Sequence, residues 1–183
     1  MRRTGLLSLF VMATTACLAQ SSVKVTKQAV PEKALIFEVT IPASQSAVWK
    51  AFTTSVGLST WLTPGAVVDL RKGGEWTAHY PGGKTGGGTI LSFAPEREIT
   101  LSAMAPEHFP TVREQRTTAT FQFTANGEST LVRLVQTGWK HGEEWDKAYD
   151  YLAVGNAELL ETLRRRLVEG PIDWDKEWGT QTK

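Results

Sequence analysis

The stretch that decides the fold is residues 143–169, "EEWDKAYDYLAVGNAELLETLRRRLVE". Its apolar residues recur three, four and seven positions apart, which is the spacing of one face of an α-helix. They are Trp145, Tyr149, Leu152, Leu159, Leu163 and Leu167. Acidic residues fill the first turn and arginines occupy 164–166, an order that suits the helix dipole. Gly170-Pro171 follows and predicts the end of the helix. The apolar face of this long helix therefore has to pack against another part of the domain.

The start of the domain predicts a strand followed by two short helices. Residues 35–41 alternate between apolar and polar side chains, which indicates a half-buried strand. Pro42 ends this strand, and Ser44 can cap a short helix that carries Val48, Trp49 and Phe52. A second short helix follows Gly57 and continues until Pro64.

The central 70 residues or so predict an antiparallel meander of six strands. The hairpin signal Asn126-Gly127 joins the last two of them. The predicted strands are 66–70, 75–80, 88–94, 98–104, 116–125 and 129–138. With the first strand, this gives an α+β fold in which a curved antiparallel sheet of about seven strands wraps around the long helix. Such a sheet often leaves a cavity beneath the helix, where a small ligand would bind.

Four segments resemble one known family. They are "VWKAFTTSVGLSTWL" (48–62), "VVDLRKGGEW" (67–76), "GGGTILSFAPEREITLS" (86–102) and the stretch from Ser129 to Gly170. Together they are similar to the SRPBCC superfamily with the START-like helix-grip fold. The most similar branch is the one related to the C-terminal domain of the activator of the heat-shock-protein-90 ATPase. The resemblance implies a helix-grip fold with a hydrophobic cavity over residues 34–170. Other branches bind lipids, hormones or secondary metabolites, or cyclise polyketides.

The N-terminus has the pattern of a secretory signal. Arg2-Arg3 precedes an apolar run too short to span a membrane, and small residues allow cleavage before Gln20. The predicted organisation is a signal peptide over 1–19, a flexible lead over 20–33, the domain over 34–170 and a tail over 171–183. We expect a periplasmic or secreted protein with no integral membrane segment after cleavage. An alternative is a lipid anchor on Cys17.

Composition argues against binding to nucleic acid. The chain has 20 Lys and Arg against 19 Asp and Glu, and loss of Arg2 and Arg3 with the signal would leave a net charge of −1. A protein of this charge has no basic footprint for nucleic acid. Because the only cysteine, Cys17, lies in the signal, the domain must depend on its hydrophobic core rather than on a disulfide.

Residues 78–85 nearly match a phosphate-binding loop. Gly83-Lys84-Thr85 fits the end of the motif, but Ala78 stands where its first glycine belongs. The following Gly86-Gly87-Gly88 and the β-forming residues after them do not start a helix. We therefore interpret this segment as a flexible hairpin loop.

The expected ligand site lies on the inward faces of the strands and of the long helix. Tyr80, Thr89, Gln136, Tyr149 and Asn156 would be polar points in an otherwise apolar cavity. The predicted ligand-binding residues are Trp76, Tyr80, Thr89, Leu91, Phe121, Phe123, Gln136, Tyr149, Leu152 and Asn156. The assignment depends on strand register, since a slip of one residue inverts every face.

Asn156 departs from the family pattern. The resembling branch usually carries Gly-Trp where this sequence has Gly155-Asn156. The amide lies on the apolar face of the predicted helix, four residues after Leu152. It would either enlarge the cavity and add a polar group to it, or bond to a strand backbone or a buried water.

No catalytic residue, metal site or cofactor is predicted. His79, His108 and His141 are scattered without metal-ligand spacing, and His79 is expected to point to solvent. The acidic residues at 143–146 are explained by the helix dipole. The favoured function is the binding of a small hydrophobic molecule by an exported protein. The alternatives are a cyclase or dehydratase of the same superfamily and a co-chaperone-like interaction module.

Overall fold

The computed structural model describes residues 22–178. Within that range the chain contains eight strands, five α-helices and a 3-10 turn at Pro81–Gly83. In chain order they are β1 (Lys24–Gln28), β2 (Ala34–Ile41), α1 (Gln45–Thr53), α2 (Ser55–Ser59), β3 (Val67–Val68), β4 (Glu75–His79), β5 (Thr85–Ala94), β6 (Glu98–Met104), α3 (Pro110–Gln115), β7 (Thr117–Asn126), β8 (Ser129–Thr137), α4 (Glu143–Glu169) and α5 (Trp174–Glu177).

The described strands form one antiparallel sheet in the order β1-β2-β8-β7-β6-β5-β4-β3. The pairing of β2 with β8 joins the start of the domain to the last strand before the long helix. On β2 the alternation works as expected: Leu35, Phe37, Val39 and Ile41 are all buried on the inner face. The predicted α+β helix-grip architecture is confirmed.

Helix α4 covers this inner face. Its bounds coincide with the predicted helix, and its buried residues are Trp145, Ala148, Tyr149, Ala153, Leu160 and Leu163. They belong to the same apolar core as the inward side chains of the strands, with Leu152, Leu159 and Leu167 packed at its margin. The helix therefore stabilises the sheet by removing one of its faces from water.

Helix α1 places a cluster of aromatic rings at one end of the core. The ring centroid of Phe52 lies 4.5 Å from that of Phe121, 4.9 Å from that of Trp76 and 5.6 Å from that of Phe123. The indole Nε1–H of Trp76 donates to the carbonyl of Phe52 at 2.8 Å. The cluster fixes helix α1 to strands β4 and β7.

The predicted flexible lead over 20–33 is wrong where strand β1 forms. Residues 24–28 pair in register with 34–38 of β2 and add an eighth strand at the edge of the sheet. Lys27 Nζ also lies 2.7 Å from Asp150 Oδ1 on helix α4. Four of the five side chains of β1 are exposed, so the strand lacks the alternation by which sequence patterns reveal strands. Backbone pairing, rather than burial of its own side chains, holds it.

The glycine-rich loop extends less far than predicted. Gly86, Gly87 and Gly88 lie inside β5, which starts at Thr85 instead of 88. A Cβ on Gly87 would lie 2.1 Å from the Trp76 carbonyl oxygen, and one on Gly88 would lie 2.2 Å from the Ser102 carbonyl oxygen. The glycines therefore allow neighbouring backbones to approach closely inside the sheet. The sequence pattern had instead indicated that they are part of a loop.

Four further boundaries differ from the sequence prediction. The second short helix, expected after Gly57, begins at Ser55 and contains that glycine. The strand expected over 66–70 is reduced to Val67–Val68, and helix α3 lies between the predicted strands 98–104 and 116–125. Pro110 at the first turn of α3 favours that helix, since proline lacks only an N–H that the first turn does not use. The tail contains helix α5, and Trp174 Nε1–H donates to the Ser59 carbonyl at 2.7 Å.

No helix among residues 22–178 combines the length and apolar character needed to cross a bilayer.

Candidate functional site

A cavity of about 560 Å³ lies between helix α4 and strands β4 to β8. Its volume falls within the range of small-molecule sites in proteins. The lining residues that are buried form what we call the inner wall: Trp76, Ala78, Leu101, Ala119, Phe121, Leu134 and Gln136. Helix α4 contributes the opposite side, with Leu152, Gly155, Asn156 and Leu159. The site is mostly apolar, with one polar side chain in its inner wall.

Two carboxamides and a hydroxyl form a connected network at this site. Asn156 Nδ2–H donates to Gln136 Oε1 at 2.7 Å, and Gln136 Nε2–H donates to Thr117 Oγ1 at 2.8 Å. Gln136 and Thr117 are 3% and 4% exposed, so burial of these groups depends on the bonds between them. The network ties helix α4 to strands β7 and β8.

Bare backbone forms part of the cavity wall on strand β5. Gly86 and Gly87 line the cavity, and Gly87 has φ of 113°, a conformation that side chains with a Cβ rarely adopt. Because these residues have no side chains, the space beside them stays open. A larger residue at 87 would clash with strand β4.

The exposed lining residues mark the mouth of the cavity. They are Tyr80, Lys84, Glu107, His108 and Tyr151. The His108 ring lies 5.0 Å from the Tyr151 ring, centroid to centroid, so the mouth segment contacts helix α4. Tyr80 keeps part of its side chain exposed, and the partial burial of its hydroxyl raises the pKa of that group. The mouth is polar and charged, in contrast to the inner wall.

The segment that carries the mouth residues Glu107 and His108 is held from two sides. Arg113 on helix α3 donates to the carbonyl oxygens of Ala105 at 2.7 Å and Thr85 at 3.2 Å. On the other side, Glu144 of helix α4 accepts from the Thr111 hydroxyl at 2.7 Å and from the Val112 N–H at 3.1 Å. These bonds lower the pKa of the Glu144 carboxyl, with the Thr111 hydroxyl as the main cause.

Six predicted site residues line this cavity. Two of them, Trp76 and Phe121, belong to the inner wall and also contact Phe52 of the aromatic cluster. The complete set is Trp76, Tyr80, Phe121, Gln136, Leu152 and Asn156. Phe121 and Phe123 both point inward, as the alternation on this strand predicts.

Thr89 and Leu91 do not line the cavity, because they flank the inward Ile90 and lie on the outer face of strand β5. Ile90 pairs with Leu101 and Ser92 pairs with Thr100, so Leu91 is an extra residue on strand β5. Ile90 is fully buried, whereas Thr89 and Leu91 are exposed. The prediction placed the opposite face of this strand inward.

Phe123 and Tyr149 are buried away from the cavity. The Phe123 ring packs in the aromatic cluster, 5.5 Å from that of Trp49. The Tyr149 hydroxyl donates to the Ala34 carbonyl at 2.8 Å, and Lys33 Nζ lies 4.7 Å from the centre of its ring. Tyr149 lines a separate, shallower cleft of about 340 Å³ with Lys27, Gln28, Ala29, Lys33 and His141.

Neither expected role of Asn156 describes it fully. Its amide bonds to the side chain of Gln136, rather than to a strand backbone, and it also lines the cavity. The prediction did not identify Gln136 as the partner, because the pairing depends on where helix α4 crosses strand β8.

The prediction missed the mouth segment 104–108 and the residues Leu134 and Leu159. Leu134 lies two residues before Gln136 on the same strand face, so the alternation alone could have identified it. Leu159 follows Asn156 by three residues on the helix and shares its face. The mouth segment has no periodic signal that links it to the sheet.

The three histidines lie in different parts of the structure. His79 is exposed, His108 belongs to the mouth and His141 lines the shallower cleft. Among residues 22–178, no three His, Cys, Asp or Glu side chains gather closely enough to hold a metal ion.

The bond between Thr111 and Glu144 predicts a pH-dependent contribution to stability. The Glu144 pKa is lower in the folded chain than the ordinary 4.5, so its contribution is present above pH 4.5 and is lost as pH falls through the folded pKa. Thr111→Val removes the main cause. We expect urea unfolding to show that wild type exceeds the variant in stability at pH 7, and that this difference shrinks toward pH 3.

Thr124→Val, at an exposed position of strand β7, is the control and should give a difference that does not vary with pH. A Thr111→Val deficit of equal size at pH 7 and pH 3 would contradict the role given to Glu144.

Comparison with known proteins identifies the family. The model of the family "Activator of Hsp90 ATPase homolog 1-like protein" matches residues 42–167. A search of curated proteins gives no match. Solved structures do match: protein MLL2253 from Mesorhizobium loti is 18% identical with a TM-score of 0.64, and the match covers 76% of this chain and 100% of that one.

Two further structures have the same fold. The Aha1 dimer from Colwellia psychrerythraea is 20% identical with a TM-score of 0.61, and the match covers 75% of this chain and 97% of that one. CalU16 from Micromonospora echinospora is 18% identical with a TM-score of 0.55, and the match covers 87% and 89% of the two chains. At these identities the structures establish the shared fold alone. The family match, by its extent, shows that this chain belongs to the Activator of Hsp90 ATPase homolog 1-like proteins of the SRPBCC superfamily.

Proposed function

We propose that this chain is an exported protein that binds a small hydrophobic molecule in the cavity between helix α4 and the sheet. The observation that carries the proposal is the cavity itself: about 560 Å³ lined by Trp76, Leu101, Phe121 and Leu134 and opening to solvent at a polar mouth. A cavity of this size in a domain core costs packing energy, so its presence favours a ligand over a purely structural role.

The distribution of polarity supports an apolar ligand. The mouth carries Lys84, Glu107 and His108, whereas the buried inner wall contains Gln136 as its polar member. A ligand that enters past the mouth exchanges water for aromatic and aliphatic contacts, and its gain increases with the apolar area it buries. The hydrophobic effect would thus supply most of the affinity.

A neutral apolar dye, N-phenyl-1-naphthylamine, tests the cavity without knowledge of the natural ligand. Its fluorescence increases in apolar surroundings, so we expect a saturable increase when it is titrated into the wild-type protein. Asn156→Trp places an indole in the cavity and should weaken dye binding about tenfold or more, which corresponds to at least about 1.4 kcal/mol.

Glu158→Trp is the matched control, because it introduces the same side chain at an exposed position of the same helix. It should leave dye binding unchanged. Equal dye affinity in wild type and Asn156→Trp, with both folded by circular dichroism, would show that the dye binds elsewhere and would remove the support for a cavity ligand.

The export part of the proposal rests on the sequence of residues 1–19, which lie outside the described residues. The intact mass of the full chain, expressed in a bacterial host and recovered from the periplasm or medium, is the measurement. We expect a mass that starts at Gln20. A lipid-modified mass that starts at Cys17 would support the anchored alternative, and an uncleaved chain in the cytosol would contradict export.

A further inference from the structure

The amide pair formed by Gln136 and Asn156 has more hydrogen-bonding groups than the protein uses. Asn156 Nδ2–H bonds to Gln136 Oε1, and Gln136 bonds onward to Thr117. Among residues 22–178, Asn156 Oδ1 accepts no hydrogen bond. In the same range no buried side-chain nitrogen or oxygen lacks a partner, so Asn156 Oδ1 must have accessible surface. Because Asn156 lines the cavity, this oxygen is available to a molecule inside it.

The network also fixes how Asn156 faces the cavity. The bond to Gln136 takes one of the two N–H groups of Asn156, which leaves one N–H and Oδ1 for a ligand. Gln136 is itself held by Thr117, so the carboxamide of Asn156 is oriented before any ligand binds. An oriented donor and acceptor side by side suit a hydroxyl, a ketone or an amide. These hydrogen bonds would fix the orientation of the bound ligand, which apolar contacts alone would not do.

The charged lining residues lie at the mouth of the cavity. Among the described lining residues, Lys84 and Glu107 carry charge, and both are exposed at the mouth. The lining residues that share a face with the pair on its own elements are apolar: Leu134 on strand β8, and Leu152 and Leu159 on helix α4. An ionised group placed here would lose its hydration without a counter-ion, at a cost that a neutral group avoids.

We infer that the ligand is a neutral, largely apolar molecule with one hydroxyl, ketone or amide group, and that this group bonds to Asn156. Asn156 is then the residue that determines specificity, with Gln136 and Thr117 as positioning residues. The inference rests on the proposed function, because it names the chemical class of ligand for the same cavity. It predicts discrimination against carboxylates such as fatty acids.

The test uses competition against bound N-phenyl-1-naphthylamine by decan-1-ol and 1-chlorodecane. These chains are matched in length and differ in the terminal hydroxyl. We expect the preference for the alcohol over the chloride to fall about 3- to 10-fold in Asn156→Leu relative to wild type, as the loss of one hydrogen bond predicts. Glu158→Leu introduces the same residue at an exposed position of helix α4 and should leave the preference unchanged.

A second measurement uses the wild-type protein alone, so that it does not depend on whether Asn156→Leu folds. The side-chain amide signals of Asn156 in a ¹⁵N NMR spectrum should shift with decan-1-ol and shift much less with 1-chlorodecane. In the competition assay at pH 7, decanoate should bind more weakly than decan-1-ol.

The outcomes separate this inference from the proposed function. If the dye does not bind wild type, the cavity-binding proposal fails and the inference fails with it. If the dye binds but the alcohol preference is the same in wild type and Asn156→Leu, the role of Asn156 is overturned while the cavity proposal stands. If decanoate binds wild type as tightly as decan-1-ol, the restriction to neutral ligands is overturned.

Discussion

The packing of Phe52 against its aromatic neighbours is the interaction on which the rest of the site depends. Helix α1 sets this ring against Trp76 and Phe121, which are also part of the inner wall of the cavity. The indole N–H of Trp76 is fixed to the Phe52 carbonyl as well. One end of the space between sheet and helix α4 is thus closed by tightly packed rings, whose far sides face the cavity. The same side chains therefore belong both to the hydrophobic core and to the wall of the cavity.

The cavity has two separate sets of polar groups, one at its mouth and one in its wall. The mouth carries exposed, charged residues, whereas the amide pair of Gln136 and Asn156 lies against a buried apolar wall. A buried carboxamide is costly unless its bonds are satisfied, and the contact with Thr117 satisfies part of that requirement. The open acceptor on Asn156 is therefore the feature that connects the fold to a choice of ligand. Apolar contacts would supply affinity, and the amide would supply selectivity.

Long periodic elements could be predicted from sequence, and features set by pairing could not. The bounds of helix α4 follow from its apolar spacing, its acidic first turn and Gly170. Phe121 and Gln136 lie on the predicted inward face because strands β7 and β8 alternate around them. Leu91 was misplaced because it lies on the outer face of β5, beside the inward Ile90. Strand β1 was missed because its ladder of backbone bonds to β2 leaves no trace in its exposed side chains. Asn156 and Gln136 are 20 residues apart in the sequence, and their contact depends on where helix α4 crosses strand β8. A sequence pattern does not contain that information.

A crystal structure of the protein grown with N-phenyl-1-naphthylamine tests the central claim, that the space beneath helix α4 is a binding site, most directly. The account predicts electron density for the dye between Trp76, Phe121 and Asn156, with helix α4 and the aromatic cluster in the positions described above. An interior filled by side chains, with helix α4 closed onto Leu101 and Leu134 and no density for the dye between them, would contradict it.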